Sequence, residues 1–438
     1  VIRPTIAGLM GAYGCALYAL EHVNEHSSIV SIEDLINYHV TTKQTKCQLC
    51  HNHCSLNVHI FNNGKRYISG NRCDRPTTKK RNIRDMNIYN YKRELLSQYK
   101  SESHGKTIGI PMVLNMFELY PFYFTLFNEL GYQVISSGQS SMKQYHESAD
   151  AITSDTVCFP AKIVHSAIHT LMKKNVDYIF YPSMSYNMKE EHTENCYNCP
   201  VVAYYSEVIE ANTINLDSSR FINEPLGVHR KKDFPNKLYE VLKKYDFDVT
   251  LDDVKKASVK AYQEYDLHKS KIKQRGLEII HQANIDDKQV IVLAGRPYHI
   301  DPLINHGIDQ LISSYGVYII SEDSLEQDFD YSKLRVLNQW TYHSRLYRAA
   351  KFVIDQPDMQ LVQLVSFGCG IDAVTTDEVR VILEKGGKLY TQLKIDEINN
   401  LGAAKIRLRS LVAAMEEHPE KEKKQSTVKK TARVPVKV

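Results

Sequence analysis

Residues 107–136, TIGIPMVLNMFELYPFYFTLFNELGYQVIS, decide the fold class. Residues 107–111 have the continuous apolar character of a buried strand, and residues 116–130 have the apolar spacing of an amphipathic helix that Gly131 ends. Residues 132–136 are apolar again and predict a second strand. A strand, a helix and a strand in this order form a βαβ unit, which predicts a parallel sheet with helices on its faces.

The same alternation continues along the chain. A helix is predicted after Cys158, residues 176–181 predict the next strand, and residues 199–205 lead into one more. From residue 289 the pattern returns; the predicted strands there are 289–294, 317–321, 361–366 and 388–393, and the predicted helices are 304–315 and 372–385. Residues 226–285 have helical spacing, with almost no Gly or Pro in their second half. We therefore predict an α/β fold of two Rossmann-like lobes with parallel sheets, joined by helices.

The composition is that of an ordinary globular protein. The chain has 438 residues, of which 43% are hydrophobic and 24% charged, enough for two or three domains. Its net charge of +4 gives no indication of nucleic-acid binding. Glycines interrupt the apolar stretch of residues 5–20, which is too short for a membrane span and lacks a signal-peptide cleavage pattern. Nine clustered cysteines favour a reducing compartment, so we expect a cytoplasmic protein with no nucleic-acid or membrane partner.

Four cysteines near the start of the chain predict a metal centre. Cys47, Cys50 and Cys54 are followed by Cys73, and residues 56–68 between them have the alternation and the Asn-Asn-Gly turn of a β-hairpin. That hairpin would carry Cys73 back to the other three. A [4Fe–4S] cluster needs four soft ligands, and the spacing resembles the N-terminal cluster module of molybdopterin oxidoreductases. A zinc ion bound by the same four thiolates is the alternative, and four structural cysteines without a metal are the remaining possibility.

Three later cysteines occupy positions where a second site would lie. Cys158 and Cys369 precede predicted helices in different lobes, and Cys199 lies in a loop beside Pro200. Ligands of open α/β sheets bind beyond the carboxyl ends of the strands, where free N–H groups of helices stabilise anionic groups. Three thiolates from two lobes would hold a cluster with one iron left open. The alternatives are buried apolar thiols, and Cys196 in place of Cys199.

Several long runs of sequence resemble a known family. The large fused activase proteins related to 2-hydroxyacyl-CoA dehydratases have similar runs at 71–74 (NRCD), 154–162 (SDTVCFPAK), 181–187 (YPSMSYN), 294–299 (AGRPYH) and 366–373 (SFGCGIDA). The resemblance implies ATPase domains upstream, and a remainder similar to the cluster-binding subunits of the dehydratases and of double-cubane reductases. It also implies that three cysteines of the α/β lobes, Cys158, Cys199 and Cys369, bind a cluster.

The resemblance also suggests a division of the chain. We expect residues 1–40 to be the remnant of an upstream ATPase domain, because the small-residue helix around Gly11 resembles the end of one and the chain begins with Val1. The other predicted segments are 41–100 (a small four-cysteine β-hairpin module and connector), 101–225 (first lobe), 226–285 (helical connector), 286–415 (second lobe) and 416–438 (charged tail).

The function implied by the resemblance is that of an iron–sulfur redox protein in an ATP-driven system. It would carry one or two [4Fe–4S] clusters and pass low-potential electrons to a small or CoA-linked substrate at an interlobe cluster. The expected partners are an upstream ATPase domain or activator subunit, an acyl-CoA substrate and a second copy of the chain. A double cubane needs about six cysteines, more than this second site offers, so a single cluster per chain, or a site shared across a dimer, fits better.

Two other functions remain open from the residues alone. One is a non-catalytic, zinc-stabilised scaffold that binds a partner subunit, and the other is a CoA-thioester binding or transferase protein. Arg296 is a candidate to bind an anionic group, with His299 and Asp301 beside it. Glu322 and Asp323 are candidates for an acid or base, with helix capping as the alternative role.

Overall fold

The computed structural model describes residues 7–22, 31–47, 54–62, 64–71, 86–190, 193–326, 328–397 and 401–417. These residues form two compact units. The first contains the described residues up to Asn71, and the second contains those from residue 86 onward.

The first unit is built on a three-stranded antiparallel sheet. Its elements are α1 (Met10–Glu21), α2 (Ile32–Ile36), β1 (Val40–Lys46), β2 (Ser55–Phe61) and β3 (Arg66–Ser69), with strand order β1-β2-β3. The predicted hairpin is confirmed, since β2 pairs with β3 around a turn that includes Gly64 at φ +75°. The strand β1 was not predicted, because its sequence VTTKQTK has no apolar alternation and all of it is exposed.

The second unit begins with one helix and the first α/β lobe. Its elements are α3 (Ile88–Ser97), β4 (Thr107–Ile110), α4 (Met116–Glu129), β5 (Gln133–Ser136), α5 (Met142–Glu147), α6 (Phe159–Lys173), β6 (Tyr178–Phe180), α7 (Pro200–Asn212) and β7 (Phe221–Ile222). The four strands are parallel, in the order β5-β4-β6-β7. Two helices follow, α8 (Phe234–Lys244) and α9 (Leu251–Ile285).

The second lobe repeats the topology of the first. Its elements are β8 (Val290–Ala294), α10 (Ile308–Ser314), β9 (Tyr318–Ile320), α11 (Thr341–Ile354), β10 (Met359–Ser366), α12 (Gly370–Lys385), β11 (Tyr390–Ile395) and α13 (Leu401–Glu417). Its strands are parallel, in the order β9-β8-β10-β11. In each lobe the strands therefore lie in the order second, first, third, fourth. The predicted fold class, two Rossmann-like lobes with parallel sheets, is confirmed.

The segment after Cys199 corrects one prediction. Residues 199–205 were expected to lead into a strand, but they begin the helix α7. Proline is well tolerated at the first helical position, where its missing N–H costs no hydrogen bond. The helix buries Val202, Tyr205 and Ile209 at helical spacing against the first lobe, and this packing outweighs the strand preference of the Val-Val and Tyr-Tyr pairs.

The long helix α9 lies against both lobes. It has 35 residues and begins with a capping box. In this box the Thr250 hydroxyl accepts the Asp253 N–H, and the Asp253 carboxylate accepts the Thr250 N–H. Near its middle, the Tyr265 hydroxyl donates to Glu118 of α4 at 2.9 Å. Farther along, Gly276 lies so close to Ser324 of the second lobe that an added Cβ would be 2.7 Å from that side chain. One continuous helix therefore contacts both the first and the second lobe.

A buried ion-pair cluster joins the two lobes directly. Arg345 of α11 contacts Glu118 of α4 and Glu190 of the first lobe, each with a nitrogen–oxygen distance of 2.5 Å, and its side chain is 2% exposed. Arg348 and Lys269 also pair with Glu190, at 2.5 and 3.4 Å. Burial alone would raise the pKa of Glu190, but the cations, Arg345 first, outweigh it and hold that pKa far below its usual range.

We expect Arg345→Ala to lower the free energy of unfolding by about 3–5 kcal/mol, because it leaves two buried carboxylates without their shared cation. Lys351→Ala on the same helix is the control; its exposed pair with Asp355 should contribute less than about 1 kcal/mol. Urea unfolding followed by circular dichroism measures both. Equal losses in the two variants would contradict the importance of the cluster.

The same cluster predicts a direction of pH dependence. The folded-state pKa values of Glu118 and Glu190 are lowered, so their contribution is complete above the pKa of an unfolded glutamate and disappears as the pH falls through the folded-state values. Wild-type stability should therefore fall steadily below about pH 4.5. Urea midpoints between pH 7 and pH 3 measure this, and the fall should be shallower in Arg345→Ala.

Candidate functional site

Three cysteines occupy the same local position, the residue that caps the start of a helix. Cys158 caps α6, Cys199 caps α7 and Cys369 caps α12. Each has an extended backbone, with φ and ψ of −58° and 143°, −62° and 155°, and −96° and 104° in that order. At this position the side chain lies beside the first free N–H groups of the helix. The Cys199 sulfur accepts the Val202 N–H at 3.4 Å.

The strand order places this site at the edge where ligands bind in such folds. Cys369 follows the carboxyl end of β10, and Arg296 follows the carboxyl end of the neighbouring strand β8. The loops after these two strands leave the sheet in opposite directions, which opens a crevice between them. The Asp372 carboxylate holds the turn after β10 by accepting the Ser366 N–H at 3.0 Å.

Gly368 brings the two lobes together beside the thiols. A Cβ at this position would lie 2.7 Å from the Thr156 carbonyl oxygen and 3.3 Å from the Cys158 nitrogen. These are backbone atoms, which cannot rotate away, so the close approach requires glycine. The turn that carries Cys369 in the second lobe therefore packs directly on the segment that carries Cys158 in the first.

Burial and the neighbouring thiols change the ionisation of Cys158 and Cys199. Burial raises the pKa of Cys158 to about 11, the Ala161 N–H opposes this, and the thiols of Cys199 and Cys369 add to it. Burial likewise raises the pKa of Cys199, against the Val202 N–H and Arg296. Desolvation thus outweighs the helix N-termini, and in the metal-free protein Cys158 and Cys199 are protonated at neutral pH. A bound metal centre would replace these protons.

Arg296 is the cation of this site. Its guanidinium forms an ion pair with Asp372 and donates to the Tyr298 hydroxyl, and the residue is 6% exposed. Burial alone would lower its pKa, but Tyr298 and the thiol of Cys369 outweigh burial and raise it, so Arg296 stays charged. A buried cation beside three thiols offsets the negative charge that thiolates would bring.

The four other candidate side chains near the site form hydrogen bonds or ion pairs that hold the local backbone. His299 accepts the Arg296 N–H at 2.8 Å, and Asp301 accepts the Ser140 N–H of the first lobe at 3.0 Å. Glu322 accepts the Gly295 N–H at 3.0 Å. Asp323 pairs with Lys92 at 2.7 Å. These four side chains therefore fix turns and neighbouring segments around the site.

Cys196 lies apart from the three thiols. It is fully buried and bonds with Thr193 at 3.1 Å and with the Glu190 N–H at 3.4 Å, next to the ion-pair cluster. The helix cap is Cys199, three residues later. The structure thus brings Cys199, and not Cys196, to Cys158 and Cys369.

The three capping thiols are the soft donors of this site. Among the residues that the structure describes, no three His, Cys, Asp or Glu side chains are grouped so as to hold one metal ion. A cubane cluster takes its thiolates from farther apart than one ion does. Three thiols with a cation beside them are therefore what this site offers to a metal centre.

Two cysteines of the four-cysteine module, Cys47 and Cys54, lie among the described residues. Cys47 and Cys54 are buried and adjacent, since the Cys47 N–H donates to the Cys54 carbonyl at 2.8 Å and closes the β1–β2 ladder. Gly70, at φ +82°, passes so close to Ser55 that a Cβ would lie 2.4 Å from its carbonyl oxygen. The chain thus returns beside Cys54 shortly before position 73. Cys50 and Cys73 lie outside the described residues, so their convergence stays a prediction.

Comparison with known proteins decides the family. A family model described as "CoA enzyme activase uncharacterised domain (DUF2229)" matches residues 107–325, which is half of the chain. The chain belongs to this family. The predicted relation to the activases of 2-hydroxyacyl-CoA dehydratases is thereby confirmed. No curated protein matches the chain.

The CoA enzyme activase domain covers part of the site. It begins with β4, contains Cys158, Cys199 and Arg296, and ends just after β9. Cys369 and the four-cysteine module lie outside the matched range. None of the helices in the described parts of the chain has both the length and the apolar character that a membrane span requires.

Sequence reasoning missed two residues that build the site. Gly368 lies in the run 366–373, but its contact with Thr156 of the first lobe joins positions more than two hundred residues apart. Asp372 was quoted without a role, although it holds both the Cys369 turn and Arg296. An acidic residue three positions after a helix cap is a recognisable signal, yet it does not reveal a partner on another strand.

Gly368→Ala should loosen the contact between the lobes, because the added methyl group meets backbone atoms. We expect a loss of about 1–3 kcal/mol in the free energy of unfolding, measured by urea denaturation. Gly370→Ala is a matched control, since a Cβ there has nothing within 4 Å and its backbone is helical. Similar stability of the two variants would show that the close approach is unimportant.

The raised pKa of Cys158 predicts slow alkylation. In the metal-free protein, the rate of its reaction with iodoacetamide should rise about tenfold per pH unit from pH 8 toward its pKa of about 11. In denaturant the same thiol should level off near pH 8.5. Peptide mass mapping after timed quenching gives both profiles, and a plateau below pH 9 in the folded protein would be inconsistent with the burial described.

Proposed function

We propose that this CoA enzyme activase-type protein is an iron–sulfur redox protein that delivers low-potential electrons to a small or CoA-linked substrate. The delivery site would be a [4Fe–4S] cluster bound by Cys158, Cys199 and Cys369. One observation carries the proposal: three cysteines from two lobes cap three helices that begin at one place, beside a buried arginine. When bound, such a cluster transfers single electrons.

The protein's own groups suit an anionic centre. Each capping cysteine lies at the positive end of a helix dipole, and α6, α7 and α12 have 15, 13 and 16 residues. Arg296 adds a full charge that Asp372 holds in place. These charges favour thiolates over thiols once a metal centre replaces the protons, and they stabilise added negative charge on reduction.

The surroundings limit the access of water. Phe159, Tyr181 and Tyr298 next to the site are almost fully buried. The thiols themselves are partly exposed, so a small ligand can reach them. A site that is shielded on most sides, but reachable on one, protects a reduced centre while it admits substrate.

The interlobe cluster would need a supply of electrons. The four-cysteine module would bind a second cluster through Cys47, Cys50, Cys54 and Cys73 and receive the electrons. With four protein ligands that centre would be closed, as structural metal sites are. An ATPase domain or activator subunit would supply the electrons at the expense of ATP. The family's description as a CoA enzyme activase domain supports a CoA-thioester as the substrate class.

Iron analysis of the full chain tests the proposal. Anaerobically purified protein should be brown and contain iron and sulfide, and Cys369→Ser should lose the interlobe share of the iron while it keeps the share of the four-cysteine module. Cys15→Ser is the control, because Cys15 is exposed on α1. Unchanged iron in Cys369→Ser would refute the interlobe site. Colourless protein that carries only zinc would refute the redox function and support a scaffold.

A further inference from the structure

The internal repeat identifies a fourth helix cap at the interlobe site. In both lobes one helix precedes the third strand and one follows it: α6 and α7 flank β6, and α11 and α12 flank β10. Cys199 and Cys369 cap the equivalent helices α7 and α12. Cys158 caps α6, and the residue that caps the equivalent helix α11 is Trp340. Three of the four related positions are thus cysteine, and one is tryptophan.

Backbone contacts bring the start of α11 to the same place. The Tyr197 N–H donates to the Gln339 carbonyl at 2.9 Å, and the Thr341 N–H donates to the Tyr197 carbonyl at 3.2 Å. Tyr197 and Trp340 therefore form a parallel β-bridge. Tyr197 lies two residues before Cys199. The start of α11 lies against the segment that carries one of the three thiols.

The other side of α11 reaches the arginine. His343, in the first turn of α11, has its Nε2 atom 3.9 Å from the Asp372 carboxylate, which pairs with Arg296. His343 is 4% exposed, and within the described part of the chain neither ring nitrogen has a hydrogen-bond partner. Buried polar atoms without partners are rare, and such atoms here mark a place for a ligand or water.

The backbone of Trp340 matches that of a capping cysteine. Its φ and ψ are −106° and 124°, close to the −96° and 104° of Cys369. Similar backbone conformations at the same helix position send the Cα–Cβ bonds in similar directions relative to their helices. The side chain of Trp340, which is only partly buried, therefore leaves its helix as the thiol of Cys369 leaves α12.

We infer that Trp340 occupies the fourth capping position of the interlobe site, and that its indole in place of a thiol keeps one side of the site open to an exogenous ligand. This inference rests on the proposed function for the metal centre, but the placement of Trp340 does not. A cysteine at this position would complete a four-thiol set and close the site.

Both Trp340→Cys and Trp340→Ser remove the indole, but only Trp340→Cys adds a thiol. Comparing the two variants therefore separates the effect of the thiol from the effect of losing the indole. In the full chain, loaded anaerobically, cyanide should shift the interlobe electron paramagnetic resonance signal of the wild type and of Trp340→Ser. It should leave the signal of Trp340→Cys unchanged at equal iron content. An equal cyanide shift in the two variants would overturn the inference. Wild-type protein without iron would instead refute the proposed function.

A second measurement needs no metal. In iron-free Trp340→Cys, dibromobimane, which bridges only nearby thiols, should link the introduced thiol to Cys158, Cys199 or Cys369, as peptide mass mapping will show. Leu337→Cys is the matched control, because Leu337 lies three positions earlier and is 69% exposed. Bridging in neither variant, or equally in both, would show that Trp340 does not belong to the site.

The wild type gives a third readout that does not depend on how a variant folds. Trp340 is the single tryptophan of the chain. Loading the interlobe centre should quench its emission, because iron–sulfur absorption overlaps tryptophan fluorescence, and Cys369→Ser should restore most of the emission. Emission that stays unchanged when iron is loaded would contradict the inference.

Discussion

The buried contact of Arg345 with Glu118 and Glu190 is the constraint on which the rest of the second unit depends. Each lobe has its own sheet and core, and two such lobes do not by themselves need to adopt one relative position. The guanidinium holds that position, because both of its carboxylate partners lie in the first lobe and their burial is costly without it. The approach of Gly368 to Cys158, and with it the three-thiol site, requires the lobes to be held this closely.

The electrostatics of the two interlobe clusters differ in a way that suits their roles. At Arg345 both carboxylates have direct cation partners, so the contact between the lobes loses stability if Arg345 is removed. At Arg296 one cation pairs with Asp372 and faces three thiols, of which burial raises the pKa of Cys158 and Cys199. The first cluster is complete as it stands. In the second, Asp372 already pairs with the cation, and the thiolates of the proposed metal centre would add negative charge beside it.

The sequence predicted those features that depend on local pattern. Residues 107–136 have clear strand and helix periods, and the β2–β3 hairpin has clear alternation around a glycine turn. The helix α7 was missed because a Cys-Pro-Val-Val-Ala-Tyr-Tyr run has both strand preference and a proline that suits a helix start. The helix α11 was missed because its buried face includes Arg345 and His343, which hide its amphipathic character. The partners Arg345 and Glu118 are separated by 227 positions, and no local pattern reveals such a pair.

Cys158 and Cys369 were predicted to precede helices and Cys199 to lie in a loop before a strand, and the structure shows that all three cap helices. That geometry also has a consequence for biosynthesis. The two thiols of the first lobe are made well before α9 and the second lobe leave the ribosome. Until the turn at Gly368 arrives, Cys158 and Cys199 lack their partner from the second lobe. The arrangement of all three thiols therefore forms only after the second lobe has been made.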